Sequence, residues 1–133
     1  MKRIKVYIAS PYTNGNKIKN VERQFDVSEE LMNRGYAPFV PLLYHFQHVY
    51  KERNEEDWID LVLEYLGVCD LVIRIVPIID GEELISNGAN IEERVAGLCN
   101  IPVLKFNTIE EMCVYLDSID IKEYLPPEKR WLY

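Results

Sequence analysis

Cysteine is scarce in this sequence. Cys69, Cys99 and Cys113 make an odd number, and no two have the close spacing of metal ligands. That excludes a disulfide framework or a cysteine-based zinc site. Reduced thiols remain, each buried in an apolar neighbourhood of a cytoplasmic protein. Long hydrophobic runs are missing too: Met1-Lys2-Arg3 leads into an apolar stretch too brief for a signal peptide or a membrane span. Positive charge is in deficit, with 15 Lys and Arg against 22 Asp and Glu and a net charge of -7. A general nucleic-acid binder needs a basic face, so that class is excluded. Small phosphorylated ligands stay open, because a helix terminus can bind an anion locally. No repeat, low-complexity tract or linker interrupts the chain. Its 133 residues, 48% of them hydrophobic, are therefore expected to form one domain, 1–133, with its own core.

The elements follow from periodicity. Residues 4–9 (Ile4-Lys5-Val6-Tyr7-Ile8-Ala9) are β-branched and aromatic and stop at Ser10-Pro11, which predicts a first strand and then a polar loop to Asn16. Ile18, Val21, Phe25 and Met32, with Leu31 alongside, recur at helical spacing until Gly35. Tyr36 to Pro41 predicts a second strand, and its prolines place it near an edge. An aromatic-rich stretch, Leu42 to Tyr50, holds both histidines, His45 and His48, on one helical face. Glu55 to Val68 reads as a helix with Trp58, Leu61, Val62, Tyr65 and Leu66 inward. Asp70 to Val76 is a nearly continuous apolar run, the mark of a strand covered on both faces. After a loop, Pro77 to Ile85, a helix begins at Ser86. Ile101 to Phe106 is a fourth strand, Thr108 caps a helix to about Leu116, and the tail from about 118 carries Pro126-Pro127. Strands alternating with helices predict an α/β domain, doubly wound and flavodoxin-like, three layers around about four or five parallel strands.

The chain is organised around Ser86-Asn87-Gly88-Ala89-Asn90-Ile91-Glu92. Ser86 is a good N-cap, and Gly88 leaves room for close approach to a helix end whose open N–H groups favour an anion. Ile91, Val95 and Leu98 form one apolar stripe. Ala89, Glu92, Ala96 and Cys99 form the neighbouring stripe of small residues, and Glu93 lies with Asn90 on the wet side. Glu92 is thus a carboxylate at the edge of the core, where a chain rarely puts one without a partner or a use. An ion pair with Arg74 is the structural alternative. Ligands of such sheets sit beyond the carboxyl ends of the strands, and Ser10, Tyr12 and the Ser86 helix start fall on that rim.

Three segments together carry a family resemblance: Val6-Tyr7-Ile8-Ala9-Ser10-Pro11-Tyr12, Cys69-Asp70-Leu71-Val72, and Ser86-x-Gly88-x-x-x-Glu92-x-x-x-Ala96. With Gly35 and Ile101-Pro102-Val103, the chain resembles the nucleoside 2-deoxyribosyltransferase superfamily, including its 2′-deoxynucleoside 5′-monophosphate N-glycosidase branch, over about the first four-fifths of its length. The resemblance implies that Glu92 is the nucleophile attacking the anomeric carbon, through an oxocarbenium-like state, as in retaining glycosidases. It implies that Ser86, where the transferases carry an aspartate, contacts a 5′-phosphate. It also implies that the first loop, with Ser10 and Tyr12, lines the sugar and base pocket, and that a second subunit completes the site. The family's acidic residue on the preceding helix falls here on Val62. Asp60 and Glu64 lie on either side, and Asp60 is the chosen proton donor because Trp58 should anchor its helix.

The remaining residues divide between chemistry and structure. His45 is expected to wall the base pocket. A metal on His45 and His48 would need a third ligand, and only Glu52 is near in sequence, so no metal or organic cofactor is implied. Trp58 and Tyr7 read as core, and Asp70 as a residue bonding loop amides. The terminal Tyr133 matches the tyrosine with which some deoxyribosyltransferases complete a neighbour's site; a tail packed on the surface is the alternative. The leading function is cleavage or transfer at the N-glycosidic bond of a 2′-deoxynucleoside 5′-monophosphate or nucleoside by a cytoplasmic homo-oligomer. A non-catalytic nucleotide sensor on the same fold is the rival, and a NAD-type glycohydrolase is weaker because the pocket loops are short.

Overall fold

The computed structural model describes residues 2–133. Four parallel strands form the central sheet: β1 (Lys5–Ala9), β2 (Ala37–Phe39), β3 (Leu71–Ile75) and, after two further short strands, β6 (Val103–Phe106), in the order β2-β1-β3-β6. Register pairs Tyr7 with Phe39 on one side and Val72 on the other, and Ala9 with Arg74. The helices are α1 (Lys17–Asn33), α2 (Tyr44–Tyr50), α3 (Glu55–Leu66), α4 (Asn87–Leu98), α5 (Ile109–Ser118) and the short α6 (Pro127–Arg130). The three-layer α/β fold and its parallel sheet are as expected, at the lower of the two strand counts.

Alternation along the strands builds two cores. Val6, Ile8, Leu71, Ile73 and Ile75 face α1 and α5, meeting Val27, Leu31, Met112 and Leu116. Tyr7, Ala9 and Val72 face α3 and α4, meeting Val62, Leu66, Ala89 and Ala96. Both faces are covered, which is why β3 carries an apolar run rather than an alternation. The second strand is an edge strand and is shorter than Tyr36–Pro41, because Pro41 opens a 3₁₀ turn, Pro41–Leu43, leading into α2. Gly35, at φ +87°, ends α1: Tyr36 N–H reaches Leu31 O at 3.0 Å and Gly35 N–H reaches Met32 O at 3.0 Å. This is the paired closure that a left-handed residue permits.

Several side chains sit elsewhere than periodicity places them. In α1, Ile18 and Met32 are exposed, and the buried face is Asn20, Val21, Gln24, Val27 and Leu31. In α4 the small stripe is the buried one. Ile91 and Val95 are half-buried and Leu98 is 79% exposed, because small side chains let the helix lie close on the sheet. Cys99, on the C-cap of α4, is exposed rather than buried. Tyr65 is exposed with its ring stacked on Phe39. Between β3 and α4, the expected loop contains a hairpin, β4 (Ile78–Ile79) and β5 (Glu82–Glu83), turned by Asp80 and Gly81 with positive φ.

Asp70 lies at the amino end of β3. It accepts Lys5 N–H at 2.9 Å and the Tyr133 hydroxyl at 2.5 Å, with Lys129 Nζ at 3.6 Å. Lys122 Nζ donates to the Tyr133 carbonyl oxygen at 2.9 Å. The tail thus packs on its own chain, at the end of the sheet opposite to Ser10. Among the described residues, no helix is long and apolar enough to cross a membrane.

Candidate active site

Beyond the carboxyl end of β1 the chain turns into a loop that buried polar side chains hold in place. Asn20 Nδ2 donates to Tyr12 O at 2.9 Å and Asn14 O at 2.8 Å. Gln24 Nε2 donates to Ser10 Oγ at 3.0 Å, while its Oε1 accepts Leu42 N–H at 3.1 Å. The wet-looking positions of α1 are therefore buried because they tie β1, the first loop and the 3₁₀ turn together. Across the cleft, Asn14 Nδ2 donates to Ile85 O at 2.8 Å, joining this loop to the start of α4.

At that start Ser86 is the N-cap, and its Oγ accepts Ala89 N–H at 3.0 Å. Helix geometry leaves the N–H groups of Asn87 and Gly88 without intrahelical acceptors. A Cβ on Gly88 would meet Ile59 Cδ1 at 3.7 Å and Ser86 Oγ at 4.0 Å, both ordinary contacts. Packing within the protein does not demand glycine here; what its absent side chain leaves free is space in the cleft.

One turn further on, Glu92 is buried at 7% exposure and accepts the Tyr7 hydroxyl. Burial pushes the Glu92 carboxyl up to about 8, against the lowering effects of the Tyr7 hydrogen bond and of Arg74. The Tyr7 phenol is raised by the same burial and then by Glu92. Arg74 does not pair with Glu92. Its guanidinium donates to Asn90 Oδ1 at 2.7 Å and lies 3.5 Å from Glu93, which also holds Lys105 Nζ at 2.9 Å. So Glu93 has charged partners rather than an open wet face, and Glu92 has a neutral phenol.

These groups meet in a cleft of about 850 Å³ lined by Ser10, Tyr12, Lys17, Gln24, Tyr44, His45, His48, Glu55, Trp58, Ile59, Val62, Ser86, Gly88 and Glu92, among others. Six residues singled out from sequence, Ser10, Tyr12, His45, Ser86, Gly88 and Glu92, therefore share one cavity. Asp60 does not join them: it is exposed and outside the lining. At 100° per residue, positions two away from Val62 point about 200° from it, and Val62 faces the cleft. Glu64 is turned away for the same reason. Tyr12 Oη lies 2.5 Å from His45 Nδ1, and burial raises its phenol. His48 Nδ1 accepts Trp58 Nε1–H at 2.7 Å and Arg53 N–H at 3.3 Å. Sequence reading places Tyr7 and Trp58 in the core; Tyr7 is there, fully buried with its hydroxyl on Glu92, whereas Trp58 is half-buried and lines the cleft, the partner its indole N–H needs being the signal that could have found it. Among the described residues, no group of three or more His, Cys, Asp or Glu is arranged to hold a metal ion.

A buried carboxyl group bonded to a phenol, an open helix N-terminus and two imidazoles are thus gathered at one cleft with room for a small molecule. The chain belongs to the family described as a domain of unknown function (DUF7768), whose model matches residues 4–106. No curated protein matches it in sequence. Among solved structures it is similar to a 2-deoxyribosyltransferase from the psychrotolerant bacterium Bacillus psychrosaccharolyticus, with 18% identity, a TM-score of 0.55, and coverage of 91% of this chain and 96% of that one. It is also similar to the CMP N-glycosidase BcmB of Clostridium botulinum, with 15% identity, a TM-score of 0.54, and coverage of 86% and 98%. The fold is that of the nucleoside 2-deoxyribosyltransferases.

Proposed function

We propose that the protein cleaves, or transfers, the N-glycosidic bond of a 2′-deoxynucleoside 5′-monophosphate or related nucleoside, with Glu92 as nucleophile. The observation that carries this reading is a carboxylate buried at the wall of an open cleft, bonded to a neutral phenol rather than to a cation. An ion pair would tie up the oxygen that must attack; a phenol holds the carboxyl group in place, and its ionised form, which burial makes the minor one below about pH 8, has its other oxygen for the anomeric carbon. A glycosyl ester on Glu92 then yields to water or to an acceptor base. The open N–H groups of Asn87 and Gly88, beside the Ser86 that caps Ala89 N–H, suit the 5′-phosphate, and Lys17, whose Nζ lies 5.7 Å from the centre of the Tyr12 ring, adds a cation to the same cleft. Ser10, Tyr12 and His45 are read as walls of the sugar and base pocket. The structural neighbours, a deoxyribosyltransferase and an N-glycosidase by description, agree with this class of chemistry.

The reading needs no metal or organic cofactor. It includes a cytoplasmic homo-oligomer, for which the exposed Leu43, Phe46, Val49 and Tyr50 around α2 are the supporting apolar surface. Chromatography of free base released from a panel of deoxynucleotides, ribonucleotides and nucleosides tests it. Release by the wild type and none by Glu92→Ala is the expected result. One feature favours the rival: beyond the solvent-exposed Glu55 at its start, the cleft face of α3 is Trp58, Ile59 and Val62, without an acid. A sensor would raise its melting temperature with nucleotide, release no base, and keep binding in Glu92→Ala.

A further inference from the structure

A base leaving C1′ takes the bonding electron pair with it and must gain a proton, so the cleft needs a donor besides Glu92. Besides Glu92 the cleft is lined by two acids, Glu52 and Glu55, both solvent-exposed, and the other cleft-facing residues of α3 are Trp58, Ile59 and Val62. Two imidazoles remain, and their hydrogen bonds separate them. His48 Nδ1 accepts from Trp58 Nε1–H and from Arg53 N–H, groups that can only donate. A proton on His48 Nδ1 would set N–H against N–H and cost both bonds, so that nitrogen is committed to accepting. His45 Nδ1 faces the Tyr12 hydroxyl, which donates to a neutral ring and accepts from a protonated one. His45 can therefore carry and surrender a proton without losing its partner.

We propose that His45, oriented by Tyr12, is the proton donor to the departing base, an assignment that rests on the N-glycosidic reading of this cleft. The ring enters the step as imidazolium, with Nδ1–H donating to Tyr12 Oη and Nε2–H toward the ligand. As the C1′–N bond breaks and its electron pair goes to the base, Nε2 gives its proton to a ring nitrogen of that base and an oxygen of the ionised Glu92 carboxylate bonds C1′. In the second step water bonds C1′, the Glu92 ester breaks with its electrons returning to the carboxylate, and the water proton passes to His45 Nε2. Atoms and charge are restored.

The test compares two substrates. 2′-Deoxyguanosine 5′-monophosphate needs protonation to leave, whereas its N7-methyl derivative already carries the positive charge and leaves without an acid. For His45→Gln the account expects kcat on the ordinary nucleotide to fall about 10²–10³-fold, and kcat on the methylated one to stay within about fivefold. Tyr12→Phe should show the same substrate-selective loss on a smaller scale, and it decides the matter if His45→Gln does not fold. Equal losses on both substrates, or no loss on either, in a wild type that cleaves both, overturn the donor assignment alone. A wild type that releases base from neither, nor from any nucleotide or nucleoside of the panel above, overturns the N-glycosidic reading and the assignment with it.

Discussion

In the proposed reaction Glu92 is the attacking group, and its burial has a consequence for stability. Its folded value, about 8, lies above the ordinary carboxylate value of 4.5. The native state therefore keeps a proton that the unfolded chain has released, and stability falls as pH rises from about 4.5 through about 8. Glu92→Gln removes that dependence. Its melting temperature relative to the wild type should climb across this window and level off above it, since each tenfold difference in proton affinity between the folded and unfolded chain is worth about 1.4 kcal/mol. A difference that stays flat with pH would show that Glu92 is not held protonated. Gly88→Ala makes a complementary test. The methyl group meets only ordinary contacts, so the fold should persist, while nucleotide binding weakens because the methyl enters the space above the α4 terminus. Asn20→Ala would leave the Tyr12 and Asn14 carbonyls short of a donor, costing about 1–3 kcal/mol and loosening the first loop, as thermal unfolding would report.

At the level of elements, α3 decides what the cleft can contain. Its Trp58-Ile59-Val62 face looks inward and Asp60 looks out, so Asp60→Ala should leave kcat within about twofold on any substrate the protein turns over. Loss of activity in that variant would mean that α3 rotates on binding. The orientation of α3 is legible in the sequence, because Val62 fits the inward stripe and a residue two away cannot share it. Ser86 as cap, Glu92 on the small-residue stripe, Gly35 as terminator and the edge position of β2 are legible as well, each resting on local stereochemistry. The Asp80-Gly81 pair following the β-branched Ile78-Ile79 is a hairpin signal that a reading of Pro77 to Ile85 as plain loop misses. What stays hidden depends on distant partners. The burial of Asn20 and Gln24, or the exposure of Ile18 and Leu98, follows from which carbonyls and small side chains the tertiary fold brings near, and periodicity counts only polarity.

For the whole molecule, the parallel sheet separates two ends with different work. The carboxyl ends of the strands gather the cleft residues from β1, α1, α2, α3 and α4, while the amino ends hold Asp70, Lys129 and Tyr133 in a structural clasp. Tyr133→Phe should accordingly lower stability, by about 1 kcal/mol, with kcat unchanged. The exposed apolar residues around α2 are the place where a second copy would dock. Light scattering should report an oligomer that Phe46→Glu with Tyr50→Glu disperses. The central claim, Glu92 as a nucleophile in an N-glycosidic reaction, is tested most directly by mass spectrometry of the protein after reaction with a 2-fluoro-arabinosyl nucleotide, whose electron-poor sugar slows the second step. The account predicts a glycosyl adduct on the peptide containing Glu92. Base release that continues in Glu92→Ala, with no adduct on that peptide in the wild type, would contradict it.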